Sequence, residues 1–182
     1  MPGDHRAAQL RSYRGRVMAG TRVEIIGLGS VAAVLGQLAD FDPAPAYDEM
    51  GQYLVSEVQQ LFRDSTAPDG TPWKPSRRAA LAGGKTLVDR GNLRDSYTSE
   101  VTAEGLAVGS ADKRARIHQH GGVIRPVSAP YLMFRGADDQ FRRVKSVTMP
   151  ARPVLPEGDL PPAWQDEVLD IVQAHVEDAL RV

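Results

Sequence analysis

Six apolar residues, Tyr47, Met50, Leu54, Val58, Leu61 and Phe62, recur at helical spacing and commit this stretch to one amphipathic helix. The helix should run about five turns. Its apolar stripe needs a partner surface, because a single helix cannot hide such a face from water. Asp42-Pro43 supplies the start, with the aspartate expected to cap and the proline to take the first helical position. Asp48 and Glu49 are then expected in the first turn, where the helix dipole favours acids. A second stripe closes the chain: Pro161-Pro162 opens it, and Trp164, Val168, Ile171, Val172, His175, Val176 and Ala179 share one face. Asp166, Glu167, Asp170, Glu177 and Asp178 lie outside that face.

Between the stripes the chain changes character. Pro68, Pro72 and Pro75 with Asp69-Gly70 forbid a continuous helix or a central strand from Ser65 to Lys85. Leu93, Asp95, Tyr97, Ser99 and Val101 then alternate, and Leu106 to Gly109 follows a turn at Ala103-Glu104-Gly105, which predicts a β-hairpin. A second hairpin is expected from Tyr131–Phe134 and Phe141–Met149, and Pro150–Pro156 reads as rigid and extended. Upstream, Arg22 to Gly27 is β-branched and reads as a short strand. Ser30 caps a further helix with Val31, Val34, Leu35 and Leu38 on one face. Residues 1–20 are basic and aperiodic, a flexible arm in which Met18 offers an alternative start. The expected architecture is α+β, a single domain over 21–182. In it an antiparallel β-sheet with two hairpins is packed by the long N-terminal-half helix and a C-terminal helix.

The chain of 182 residues is long enough for one core, and its apolar and charged content is that of a soluble globular protein. No apolar run approaches the ~18 residues that span a bilayer, and no signal-peptide pattern opens the chain. Synthesis in the cytoplasm is the expectation. With no cysteine there is neither a disulfide framework nor a thiolate metal site. The net charge of −1 conceals segregation: residues 71–152 hold fifteen Lys/Arg against seven Asp/Glu, whereas residues 153–182 hold one against seven. Residues 21–70 are also acidic, two against eight. Either one basic and one acidic face meet partners, or acidic helices lie against a basic sheet within one subunit.

Chemistry-bearing patterns are few. In a strand, the His118-Gln119-His120 pair would aim both rings to one side, as in some zinc sites. A third ligand would have to come from His175, which reads as a hydrogen-bonded core residue, from His5 in the arm, or from a distant carboxylate. Ala82-Gly83-Gly84-Lys85-Thr86 lacks the first glycine of a phosphate loop and has no strong strand before it. There is no Gly-x-Ser-x-Gly elbow, and Asp138-Asp139 is turn chemistry. No enzyme and no cofactor is expected. Arg142, Arg143 and Lys145 beside Tyr131, Phe134 and Phe141 place cations next to aromatics, a combination of single-strand binders, but no recognised nucleic-acid motif accompanies them. Trp73 either plugs the edge of the core, its indole N–H reaching a carbonyl, or anchors a neighbouring subunit; the plug is preferred.

Five pieces occur in order: Pro68-Asp69-Gly70-Thr71-Pro72-Trp73, Leu87-Val88-Asp89 running through Gly91 and Leu93 to Ser96, Val108-Gly109-Ser110, Ile117-His118-Gln119-His120-Gly121-Gly122, and Pro150-Ala151-Arg152-Pro153-Val154-Leu155. With a helix at each end, over about residues 47–180, they resemble the phage virion morphogenesis (tail-completion) family of Mu-like and related tailed phages. The resemblance implies a structural virion protein of the neck or the head-proximal tail. It would act in head–tail joining or tail completion through assembly contacts, commonly as a homo-oligomeric ring, without catalysis. Its implied partners are the connector, tail tube or terminator, with non-specific contact to packaged DNA and none to membrane. The segment through Asp40 and the basic Ser76-Arg77-Arg78 depart from the family pattern. Trp73, Arg94, His118, His120, Arg142, Arg143, Lys145 and Arg152 are expected at or near assembly contacts, and a DNA-binding accessory of packaging or assembly is the alternative.

Overall fold

A computed structural model describes residues 42–102, 105–136 and 138–180 together with the backbone of residues 22–24. The central layer is a three-stranded antiparallel sheet of β1 (Arg22–Glu24), β3 (Gly105–Ser110) and β2 (Tyr97–Thr102), in the order β1-β3-β2. Tyr97 pairs with Ser110 and Thr102 with Gly105, so the first hairpin turns where the sequence predicts. Helix α1 (Ala44–Asp64) packs across β2 and β3, and α4 (Pro162–Leu180) lies against α1. Every residue of β3 is buried, as expected of a strand flanked on both edges and covered by a helix.

The predicted stripe of α1 is the core: Tyr47, Met50, Leu54, Val58, Leu61 and Phe62 are all buried. Phe62 sits at the centre, edge-on to Trp73 with ring centroids 5.4 Å apart and tilted against Tyr97 at 5.8 Å. Truncating an aromatic so enclosed costs about 3–5 kcal/mol. Gly51 sets the distance between helix and sheet, because a Cβ there would lie 2.6 Å from Ser99 Oγ and 2.7 Å from Ser99 Cβ. Trp164, Val168 and Ile171 of α4 complete this core. Beyond Ile171 the stripe thins: Val172, His175 and Val176 are half-buried and Ala179 is exposed. His175 is not a core residue; its Nε2 lies 2.7 Å from Glu49 Oε2 and ties α4 to α1.

Several local expectations are corrected. Helix α1 starts one residue late, with Pro43 as the capping residue, while Asp42 Oδ1 accepts a 3.0 Å hydrogen bond from the Ala44 N–H. Even with this later start, Asp48 and Glu49 fall in the second turn, where the dipole acts on them less. The proline-rich stretch contains a short helix α2 (Arg77–Ala82), begun by Ser76, whose side chain accepts from the Ala79 N–H at 3.1 Å. The alternation from Leu93 starts as a 3-10 turn, Arg94–Ser96, before β2 begins. The histidine segment is helix α3 (Lys113–His120), capped by Asp112. The second hairpin is β5 (Leu132–Arg135) with β6 (Phe141–Val144), and the return strand breaks after Val144. Its continuation, β7 (Val147–Met149), pairs instead with β4 (Gly122–Ile124). Among the described residues the fold is α+β and antiparallel as expected, with its strands divided among three small sheets. The helix expected from Ser30 and the basic arm lie outside the described residues.

Candidate functional site

The segment Pro150–Pro156 is held by side chains of two elements that bond to its backbone. From α3, Gln119 Nε2 donates to the Leu155 carbonyl at 2.7 Å, and its Oε1 accepts from the Val154 N–H at 2.9 Å and the Leu155 N–H at 3.1 Å. Gln119 is only 1% exposed, so all three bonds are made away from water. The Arg152 N–H donates to the His118 carbonyl at 2.6 Å. From the proline-rich loop, Trp73 Nε1 donates to the Pro153 carbonyl at 2.8 Å, and Arg152 Nε reaches back to the Lys74 carbonyl at 2.7 Å. A segment this rich in proline can form few ladder bonds of its own, and these bonds stand in for a sheet. Gly121 lets the strap pass: at its φ of +68° a Cβ would meet the Ala151 nitrogen at 2.7 Å.

This arrangement places two expected interface residues in the interior. Trp73 is 4% exposed, and Arg152 is buried with it. Both are engaged by the chain's own backbone, and Trp73 plugs the core. His118 is half-buried beside them, and its Nδ1 is buried with no hydrogen-bond partner among the described residues. Burial pushes the His118 pKa down, Arg152 and Arg114 push it further, and Asp112 opposes them. His120, two residues on, is exposed, with Nδ1 3.3 Å from Glu157 Oε1. On a helix, two residues of separation turn side chains to nearly opposite sides. The strand geometry behind the metal reading is therefore absent. Among the described residues no three His, Asp or Glu side chains are grouped to hold a metal ion.

The basic cluster belongs to a different part of the surface. The register places Met133 opposite Arg143 and Arg135 opposite Phe141 on one face of the β5–β6 hairpin. Leu132, Val144, Phe134 and Arg142 take the other face. Phe134, Arg142 and Val144 line an open groove of about 860 Å³ with Arg77, Arg78 and Leu81 of α2. Arg142 is bound to Asp138, and Arg135 lies 3.3 Å from Asp139, so the hairpin tip neutralises part of its own charge. Arg143 stacks its guanidinium 3.8 Å from the Tyr131 ring centre, and Lys145 is exposed. Arg94 stands apart from both groups; its Nε donates to Asp95 Oδ1 at 2.7 Å, a local pair at the start of β2.

Of the eight residues singled out from sequence, the structure gathers Trp73, His118 and Arg152 around the strap, with His120 at its rim. It gathers Arg142, Arg143 and Lys145 on or beside the hairpin and leaves Arg94 elsewhere. Sequence reasoning missed Gln119, which binds the strap at three points. Its only signal was its place four residues after Ala115, the other buried position of α3, and that signal requires knowing the segment is helical. Arg78 was missed as well: its guanidinium donates to the Lys85 carbonyl at 2.7 Å and to that of Val88, closing the glycine loop.

Alongside the strap lies a second cavity of about 540 Å³, walled by Pro68, Pro153, Pro156 and Pro161 and carrying only acidic charge, from Asp69, Glu157 and Asp159. Among the described residues no helix is long and apolar enough to cross a membrane. Neither curated protein sequences nor solved structures give a significant match to the chain. A family model does: it spans residues 28–177, from before α1 to the last turns of α4, and so takes in the strap, the acidic cavity and the basic hairpin. The chain belongs to the phage virion morphogenesis family.

Proposed function

We propose that this protein is a structural component of the virion neck that acts in head–tail joining or tail completion, assembling with copies of itself into a ring. The observation that carries the reading is the β5–β6 hairpin. Met133 and Phe141 are 70% and 71% exposed on it, beside Arg135 and Arg143. Apolar surface of this kind, interleaved with arginine, is typical of the buried centre of an interface. A ring needs heterologous contacts, in which one patch meets a different patch on the next subunit. The basic middle of the chain and its acidic C-terminal segment supply two patches of opposite sign. In this reading the strap fixes the shape of the contact surfaces, no catalytic step or cofactor is involved, and connector, tube or terminator proteins stack above and below.

Electron microscopy of particles made without this protein tests the reading. Full heads beside detached or abnormal tails are expected, and intact infectious particles would overturn it. A second reading, a DNA-binding accessory, draws on Arg143 over Tyr131 and Arg135 over Phe141, cations on rings as in single-strand binders. It predicts salt-dependent retardation of DNA by the isolated protein.

A further inference from the structure

The geometry points to a specific self-contact: the open face of the β5–β6 hairpin of one copy seats in the acidic, proline-walled cavity of the next. The inference rests on the ring reading and names the two surfaces that make the ring. The hairpin face presents Met133, Arg135, Phe141 and Arg143, two apolar and two cationic side chains, all of them exposed. The opposite face of the hairpin, with Phe134, Arg142 and Val144, turns to the α2 groove, whose edge Arg135 also reaches. The cavity is the complement on both counts. Its charge is wholly acidic, from Asp69, Glu157 and Asp159, and its walls are prolines with Leu155 and Leu160, a surface suited to a phenyl ring and a thioether.

Two features make the cavity ready to receive such a face. Its floor is part of the strap that Gln119 and Trp73 fix in place, so little ordering entropy is lost on docking. Among the described residues, Asp159 has no cation within salt-bridge distance, whereas Glu157 Oε1 lies 3.3 Å from His120 Nδ1 and Asp69 is engaged by its own turn, through the Thr71 N–H at 2.8 Å. On the hairpin, Arg143 likewise has no carboxylate within salt-bridge distance among the described residues, and its guanidinium rests on the Tyr131 ring. Hairpin and cavity are different surfaces, so the contact is head-to-tail and propagates around a ring.

Because the chain has no cysteine, disulfide trapping reports the contact without background. The variants Met133→Cys and Pro162→Cys, at positions on the hairpin face and the cavity rim, are mixed and oxidised under conditions where the unmodified protein assembles. A covalent dimer that forms only in the mixture supports the inference. A Met133→Cys homodimer would mean hairpin-to-hairpin pairing and would overturn it. Absence of cross-links in a protein that still assembles would also overturn it while leaving the ring reading in place; a protein that stays monomeric throughout overturns both. Charge exchange gives the independent check. Arg143→Glu and Asp159→Arg should each weaken self-association about tenfold or more, and combining them should recover most of it.

Discussion

Gln119 holds Leu155 at both backbone groups, donating to its carbonyl at 2.7 Å and accepting from its N–H at 3.1 Å, across thirty-six positions of sequence. With the bond from Val154, one buried amide satisfies three backbone groups that would otherwise face an apolar interior. Leaving a buried polar group unpaired costs roughly 1–3 kcal/mol. Gln119→Ala should therefore destabilise the fold by about 2–4 kcal/mol, allowing for partial relaxation of the strap. Urea unfolding monitored by tryptophan fluorescence measures this, since Trp73 touches the same strap. Gln119→Glu makes a sharper case. It keeps the acceptor but turns a second carboxylate oxygen toward the Leu155 carbonyl, so the folded state should bind a proton there more tightly than the unfolded chain. That variant should gain stability relative to the parent as the pH falls, the reverse of an ordinary surface glutamate.

Gly51 is tested by its closest neighbour. In a helix interior, glycine costs roughly 0.5–1 kcal/mol relative to alanine, so Gly51→Ala would stabilise α1 if space allowed. An alanine methyl at this position would stand 2.7 Å from Ser99 Cβ, and a Cβ carried by a strand cannot swing aside. The helix must lift from the sheet, and overpacking of this kind costs about 1–3 kcal/mol. Gly51→Ala is therefore expected to lower the midpoint of thermal unfolding. Ser99→Gly in the same chain should recover much of the loss, and a double-mutant cycle isolates the coupling.

The parts legible in the sequence are those whose cause is local. The stripe from Tyr47 to Phe62 fixed α1, the alternation through Tyr97 and Val101 fixed β2, and the proline loop with one indole left Trp73 little to do but plug the core. What escaped depends on distant partners. His118-Gln119-His120 has the alternation of a strand, yet Asp112 caps a helix there by accepting the Arg114 N–H at 2.8 Å. The role of Gln119 exists only because the strap passes it thirty-five and thirty-six residues later. The stretch from Phe141 to Met149 reads as one strand because nothing at Lys145-Ser146 marks a change of partner. The interior placement of Arg152 was hidden for the same reason: arginine is normally exposed, and its Lys74 acceptor lies seventy-eight residues away.

The ionisable groups around α3 predict two pH windows. His118 titrates in the folded chain below the ordinary 6.5, chiefly because of burial, so the unfolded chain binds its proton first. Stability should consequently fall as the pH drops below 6.5 and level off once the folded form is protonated too. Asp112 acts in the same direction at lower pH. Its bonds with Arg114 pull the pKa from 3.8 to about 2, so its contribution is complete above 3.8 and is lost as the pH falls toward 2. In His118→Gln the first window should flatten and the second should remain. Thermal midpoints of both proteins across the acid range measure the difference, and identical profiles would remove His118 as the cause.

On this hairpin the fold and the surface charge are separable. Lys145 is exposed, Arg143 rests on the Tyr131 ring, and Arg142 meets Asp138 within the hairpin, so none of the three supports the core. Substituting all three with glutamate should change folding stability by no more than about 1 kcal/mol, the usual limit for exposed ion pairs. The same change inverts the charge of the hairpin, and in a ring each altered side chain recurs at every subunit contact. Self-association should accordingly collapse while the circular dichroism spectrum and unfolding midpoint stay close to those of the parent. Particle yield in a complementation assay should fall with it. A triple variant that is folded, assembles normally and supports full particle yield would show that charge on this hairpin plays no part in assembly.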